Sequence, residues 1–131
     1  MIVTALIQGE YADWAEEQLS TARDTRSLWA PYLIDAEIGQ ALRRRVAARM
    51  LGDDHASEAL SKFAGLPLRR IVHTGLLGRA WQLRHNLSFY DGLYVALAEL
   101  LDAPLVTLDR RLARAAEDTA RATVLTPGEA Y

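Results

Sequence analysis

Cysteine is absent from all 131 residues, which excludes disulfides, thiolate metal sites and a cysteine nucleophile. Lysine is nearly absent: Lys62 stands alone beside fourteen arginines. The three histidines, His55, His73 and His85, show no metal-ligand spacing, which argues against zinc and against histidine-based nuclease chemistry. The glycines of GLPLRR and TGLLGR do not form a phosphate-loop pattern. No apolar run approaches the roughly twenty residues that cross a bilayer, and the N-terminus lacks the basic start of a signal peptide. The expectation is a cytoplasmic protein with no membrane association.

Half the residues are apolar and 24% are charged, ordinary for a soluble domain, and 131 residues suffice for one core. We read residues 1–131 as a single domain without repeats, linkers or low-complexity tracts. A net charge of −2 argues against a wholly basic nucleic-acid binder. The arginines nevertheless cluster, at Arg43, Arg44, Arg45 and Arg49, at Arg69 and Arg70, at Arg79 and Arg84, and at Arg110, Arg111 and Arg114. Arginine binds phosphate or carboxylate with a rigid fork. A genome that favours arginine codons explains the same bias equally well.

Along the chain, residues 11–23 place Tyr11, Trp14, Ala15 and Leu19 at helical spacing. SLWAP is a short extended piece closed by Pro31. Ile34, Ile38, Ala41 and Leu42 then mark a helix, with Asp35 as its cap. DDHASEALSKFAG is a second helix, and LRRIVHT a strand by its β-branched centre. TGLLGRAWQLRHN is a helix with Leu77, Ala80, Trp81 and Arg84 along one side. SFYDGLYVALAELLDA is apolar on nearly every face, which implies burial against a sheet and against something else, such as a second subunit. PLVTL is a buried strand, DRRLARAAE a helix and ATVLT a last strand. Trp14, Trp29 and Trp81 read as core anchors. Strands alternating with helices point to an α/β domain with a mainly parallel sheet, although only three or four strands are visible.

Three acids occupy equivalent places: Glu37 and Asp91 in helix first turns, and Asp109 where PLVTL becomes DRRLARA. Strand-to-helix junctions of a parallel sheet share its carboxyl edge, so the three can meet in one pocket. Taken singly, each reads as a helix cap or a complement to the helix dipole, and SFYD is close to a capping box. Asp91, however, opens a helix that otherwise carries almost no charge. Converging carboxylates raise one another's pKa unless a cation intervenes, and an all-oxygen set suits Mg²⁺ or Mn²⁺. Such an ion serves phosphodiester hydrolysis.

LIDAEIGQALRRR, followed by RAWQLRHNLSFYDGLYVALAELLDAPLVTLDRRLA, resembles the PIN-domain ribonucleases, and among them the VapC-type toxins of bacterial toxin–antitoxin pairs. The most specific part is YDGLYVALAE followed closely by APLVTLDRRLA. The resemblance implies a PIN-like α/β fold and a Mg²⁺- or Mn²⁺-dependent endoribonuclease. It assigns Glu37, Asp91 and Asp109 to catalysis and metal binding, with Thr107 as a supporting hydroxyl. It also implies an RNA substrate, a cognate antitoxin and a second copy of the chain as partners. Arg43, Arg44, Arg45 and Arg110 are candidates for contact with RNA or with an acidic antitoxin segment, and a solvated helix face accounts for any one of them as well.

The first acid of the family pattern has no counterpart, since no acid precedes Glu10. Laid without gaps on that pattern, MIVTALIQG falls on the helix after the first strand, so the expectation is a missing N-terminal strand. The rival alignment makes MIV the strand and deletes the acid-bearing turn. A start assigned too far downstream, a shortened chain and a degenerate member each explain the loss, and the first accords best with retention of the other acids. The alternative function is a catalytically impaired PIN-like module that dimerises and binds an antitoxin without cutting RNA. A receiver-like phosphoacceptor needs a lysine opposite its aspartate, and Lys62 is in mid-helix.

Overall fold

In the computed structural model, which describes residues 2–5, 28–107, 109–119 and 124–125, the run Ile2–Ala5 is a strand, β1. This corrects the expectation that the N-terminal strand is missing, and Met1, expected at a helix start, lies outside the described residues. β1 pairs in parallel with β2 (Leu28–Pro31) on one side and β4 (Leu105–Thr107) on the other. β3 (Leu68–Ile71) extends the sheet beyond β2, and β5 (Val124–Leu125) extends it beyond β4. The order β3-β2-β1-β4-β5 puts β1 at the centre. Ile2, Val3 and Thr4 are β-branched and suit that place. Buried parallel strands read as unbroken apolar runs, which periodicity cannot tell from a buried helix. The ungapped overlay misassigned the run, and the rival placement of MIV on the strand agrees with the structure. The helix expected over 11–23, with Trp14, lies outside the described residues.

The helices are α1 (Leu33–Ala47), α2 (Asp53–Ala64), α3 (Leu77–Gln82, entered by a 3-10 turn at Thr74–Leu76), α4 (Phe89–Leu101) and α5 (Arg110–Thr119). Asp35 does not cap α1. Its carboxylate instead accepts from Arg70 Nε at 2.8 and 2.9 Å, tying α1 to the end of β3. The buried face between the 3-10 turn and α4 is Leu76, Ala80, Leu83 and Leu87. Leu77 is exposed, and Trp81, expected as a core anchor, is 59% exposed with Arg84 stacked 4.4 Å from its ring centre. Trp29 is packed against the core beneath Arg69.

The all-round apolar helix has an explanation within one chain. Gly92 through Ala98 are buried, one side of α4 against β1, β2 and β4 and another against α3. The approach to α3 depends on Gly92: a Cβ there would stand 3.1 Å from the Ala80 carbonyl oxygen and 3.3 Å from its Cα. The same pair of helices is clasped by Arg79, which donates to Glu99 through Nε at 2.7 Å and Nη2 at 2.9 Å. At its C-terminus α4 ends on Asp102 in the left-handed region (φ 50°), and the Ala103 N–H bonds the Ala98 carbonyl, a Schellman closure. No helix among the described residues is long and apolar enough to cross a membrane.

Candidate active site

Three elements bring the predicted acids to one cavity of about 730 Å³ at the carboxyl edge of the sheet. Its wall includes Glu37 from α1, Asp91 and Tyr94 from α4, and Thr107 and Asp109 from the β4–α5 junction. Glu37 follows β2 by one turn of α1, slightly deeper than a first-turn position.

Asp91 is held by the start of α4. Ser88 is the N-cap, and its Oγ accepts from the Asp91 N–H at 3.1 Å. Half of the capping box is thus made, and the Asp91 carboxylate, which Ser88 also supports, lines the cavity. Asp109 is fixed from both sides. Its N–H donates to Oγ1 of Thr107 at 3.0 Å, and its Oδ1 accepts from the N–H groups of Arg111 (2.9 Å) and Leu112 (3.2 Å). Asp109 therefore caps α5 and lines the cavity together, so the two readings of this residue are compatible. Thr107 is fully buried. Its hydroxyl sets the turn that aims Asp109.

The electrostatics record the crowding. Burial, opposed in part by the bond to Tyr94, lifts the Glu37 carboxyl above its ordinary value, and the charge of Asp91 lifts it further. Burial likewise raises Asp91 against the pull of Ser88, with the charge of Asp109 adding to the rise. Asp91 is thus the shared member of two repelling pairs. The Tyr94 hydroxyl donates to Glu37 Oε1. Burial, then that bond, pushes the phenol well above its ordinary value, so it remains a donor.

The donors are oxygens only, the chemistry of a hard divalent cation. Among the described residues no group of three or more His, Cys, Asp or Glu is arranged to hold a metal ion. An ion of the Mg²⁺ type keeps several waters and takes one or two carboxylates, so the half-buried, mutually repelling acids fit a hydrated ion.

The predicted arginines separate. Arg44 and Arg45 lie in the cavity wall, on the α1 stripe that also carries Glu37, Gln40 and Ala41. Arg43 and Arg110 are exposed and do not line it. Arg70 and Arg79 are spent on Asp35 and Glu99. Two lining residues had escaped the sequence reading. Tyr94 is three residues after Asp91, one helical turn on the same face, and that spacing was the available signal. Tyr90 lines the cavity with its ring 60% exposed.

The PIN domain family matches residues 2–118. Ribonuclease VapC1 of Mycobacterium tuberculosis is 51% identical over 87 residues, which cover 66% of this chain and 65% of that protein. VapC ribonuclease Mb0985 of Mycobacterium bovis is 45% identical over 85 residues, covering 65% and 67%. Ribonuclease VapC12 of Mycobacterium tuberculosis is 40% identical over 85 residues, covering 65% and 66%. The matched stretch thus spans about two thirds of each of these relatives.

Proposed function

The chain belongs to the PIN-domain family, and on that premise we propose that it is a metal-dependent endoribonuclease, the toxin of a type II toxin–antitoxin pair. The observation that carries the reading is the meeting of Glu37, Asp91 and Asp109, distant in sequence, in one cavity where each pair in the chain of acids repels. The relatives named ribonucleases supply the substrate class.

In this reading Glu37, Asp91 and Asp109 would hold Mg²⁺ or Mn²⁺. The ion, when bound, supplies Lewis acidity and neutralises charge that builds on the phosphate. One of these carboxylates would orient the attacking water and take its proton as the water oxygen bonds to phosphorus, and the leaving oxygen would depart with a proton from solvent. Thr107 keeps Asp109 aimed. Arg44, in the cavity wall and exposed, meets the RNA backbone. Tyr90 presents a ring beside Asp91 on which a base can stack. The same reading has the protein act in the cytoplasm, with a cognate antitoxin and a second copy of the chain as partners. The exposed Arg43 is surface available to RNA or to the antitoxin, and Arg110 stands on the exposed start of α5.

The lack of a complete metal-holding group among the described residues favours a second reading, an impaired module that binds antitoxin without cutting. Cleavage of bulk cellular RNA with Mn²⁺, with Asp91→Asn as control, separates the two. Mn²⁺-dependent cleavage that the substitution removes supports the nuclease. Intact RNA with both proteins leaves the binding module.

A further inference from the structure

We propose that Tyr94 is a positioning residue of this site: its hydroxyl, bonded to Glu37 across the cavity, sets the placement of Glu37 relative to Asp91. The inference rests on the metal-site reading above and deepens it.

The Tyr94 ring is 2% exposed and belongs to the main core cluster with Leu28, Ile34, Val95 and Leu105. Packing at such a position needs no polar atom, and a phenylalanine would fill the same space. A buried hydroxyl without a partner is unfavourable, so its presence has to be accounted for by what it bonds. Its bonding partner here is Glu37 Oε1, 57 residues away on another helix. Tyr94 is also one turn beyond Asp91 on α4. The ring is fixed by the core, so the hydroxyl is a rigid post that joins the two acid-bearing helices. Glu37 has three side-chain torsions and would otherwise swing away from Asp91, whose charge repels it. The bond opposes that swing and leaves Oε2 for the cavity. Partners that orient metal-binding side chains in this way are worth tenfold or more in affinity or activity.

The test is Mn²⁺ binding by isothermal titration calorimetry, with RNA cleavage measured in parallel, on the wild-type chain, Tyr94→Phe, Glu37→Ala and the double variant. Tyr94→Phe is expected to weaken Mn²⁺ binding about tenfold and to lower kcat while KM for RNA holds. In the Glu37→Ala background the same change is expected to cost nothing further, since the bond it removes is already gone. Glu37→Asp, which is too short to reach the hydroxyl, supplies an independent route. It should lose Mn²⁺ affinity similarly and become indifferent to Tyr94→Phe. Unchanged Mn²⁺ affinity in Tyr94→Phe, or losses that add in the double variant, would overturn the role of Tyr94 and leave the nuclease reading in place. A wild-type chain that binds no Mn²⁺ would overturn the metal site itself, and the positioning role with it.

Discussion

The two ends of α4 treat a carboxylate in opposite ways. Near the C-terminal end, Glu99 has a side chain only 11% exposed and is gripped by Arg79 with two charge-assisted bonds. At the N-terminal end, Asp91 is half-buried, faces Asp109, and imposes its own charge on Glu37. No guanidinium is paired with Asp91 among the described residues. One helix, in one core, thus has a closed charge that joins it to α3 and an open charge that costs stability. An open charge beside a wall of carboxylates is tolerable when something outside the chain completes it.

Removing the open charge should break function and leave the fold sound. Asp91→Asn is expected to lower Mn²⁺-dependent RNA cleavage by about 100-fold or more, read on a gel time course. The same variant, free of metal, should melt no lower than the wild type, because it removes a repulsion and keeps the Ser88 cap. The pH dependence follows from the same groups. Glu37 and Asp91 have folded-state pKa values raised above their ordinary 4.5 and 3.8. The folded state therefore holds these protons more tightly than the unfolded chain. Their contribution to stability is complete below the ordinary values and is lost as pH rises through the raised ones. Metal-free wild type should accordingly lose denaturation free energy across that window, Asp91→Asn should lose less, and added Mn²⁺ should restore what was lost. A window that is the same in Asp91→Asn would mean that neither the burial of Asp91 nor its charge on Glu37 contributes to it.

Breaking the closed end should do the reverse, reducing stability first. Arg79→Met leaves Glu99 largely buried with its principal partner gone, at a cost of about 2 kcal/mol, between an exposed and a fully buried pair. Gly92→Ala drives a methyl group to 3.1 Å from the Ala80 carbonyl oxygen, and overpacking of this kind costs about 1–3 kcal/mol. Urea denaturation measures both. Gly92 is the sharper probe because it adjoins Asp91: forcing α3 and α4 apart shifts the start of α4, so cleavage should fall with stability. Arg79→Met acts two turns away and should leave the cleavage rate per folded molecule unchanged.

The parts of this design that were legible in the sequence are those governed by topology. Alternating elements implied a parallel sheet, a parallel sheet has one edge for its junctions, and Glu37, Asp91 and Asp109 stood at junctions. What escaped depended on packing. β1 was misread because IVTA is short and shows no period-2 alternation, and pairing on both sides, which no local pattern records, is what makes it a strand. The apolarity of α4 was assigned in part to a second subunit, whereas α3 of the same chain covers that face through Gly92. Trp81 was placed in the core by its type, but the register of α3 turns Ala80 inward instead. Tyr94 went unremarked in the sequence, and only the long-range bond to Glu37 distinguishes it. Asp35 and Asp109 were equally good caps on paper. The position of Arg70 claimed the first for structure, while the cavity received the second.

The smallest expected effect tests whether the open end also reads its substrate. Tyr90 precedes Asp91 and lines the same cavity, yet its ring is 60% exposed. It contributes little to the core, so Tyr90→Ala should leave the denaturation midpoint nearly unchanged. If a base stacks on the ring, the substitution should raise KM for single-stranded RNA about fivefold, toward the lower end of what one base–aromatic stack contributes. Tyr90→Phe should restore it, because stacking needs the ring and not the hydroxyl. Steady-state kinetics on a short single-stranded RNA measure both. An unchanged KM in Tyr90→Ala would confine recognition at this end of α4 to charge, with Arg44 and the acids as its whole vocabulary. A fall in kcat rather than a rise in KM would mean that Tyr90 acts by holding Asp91, and the two ends of the helix would then differ in charge alone.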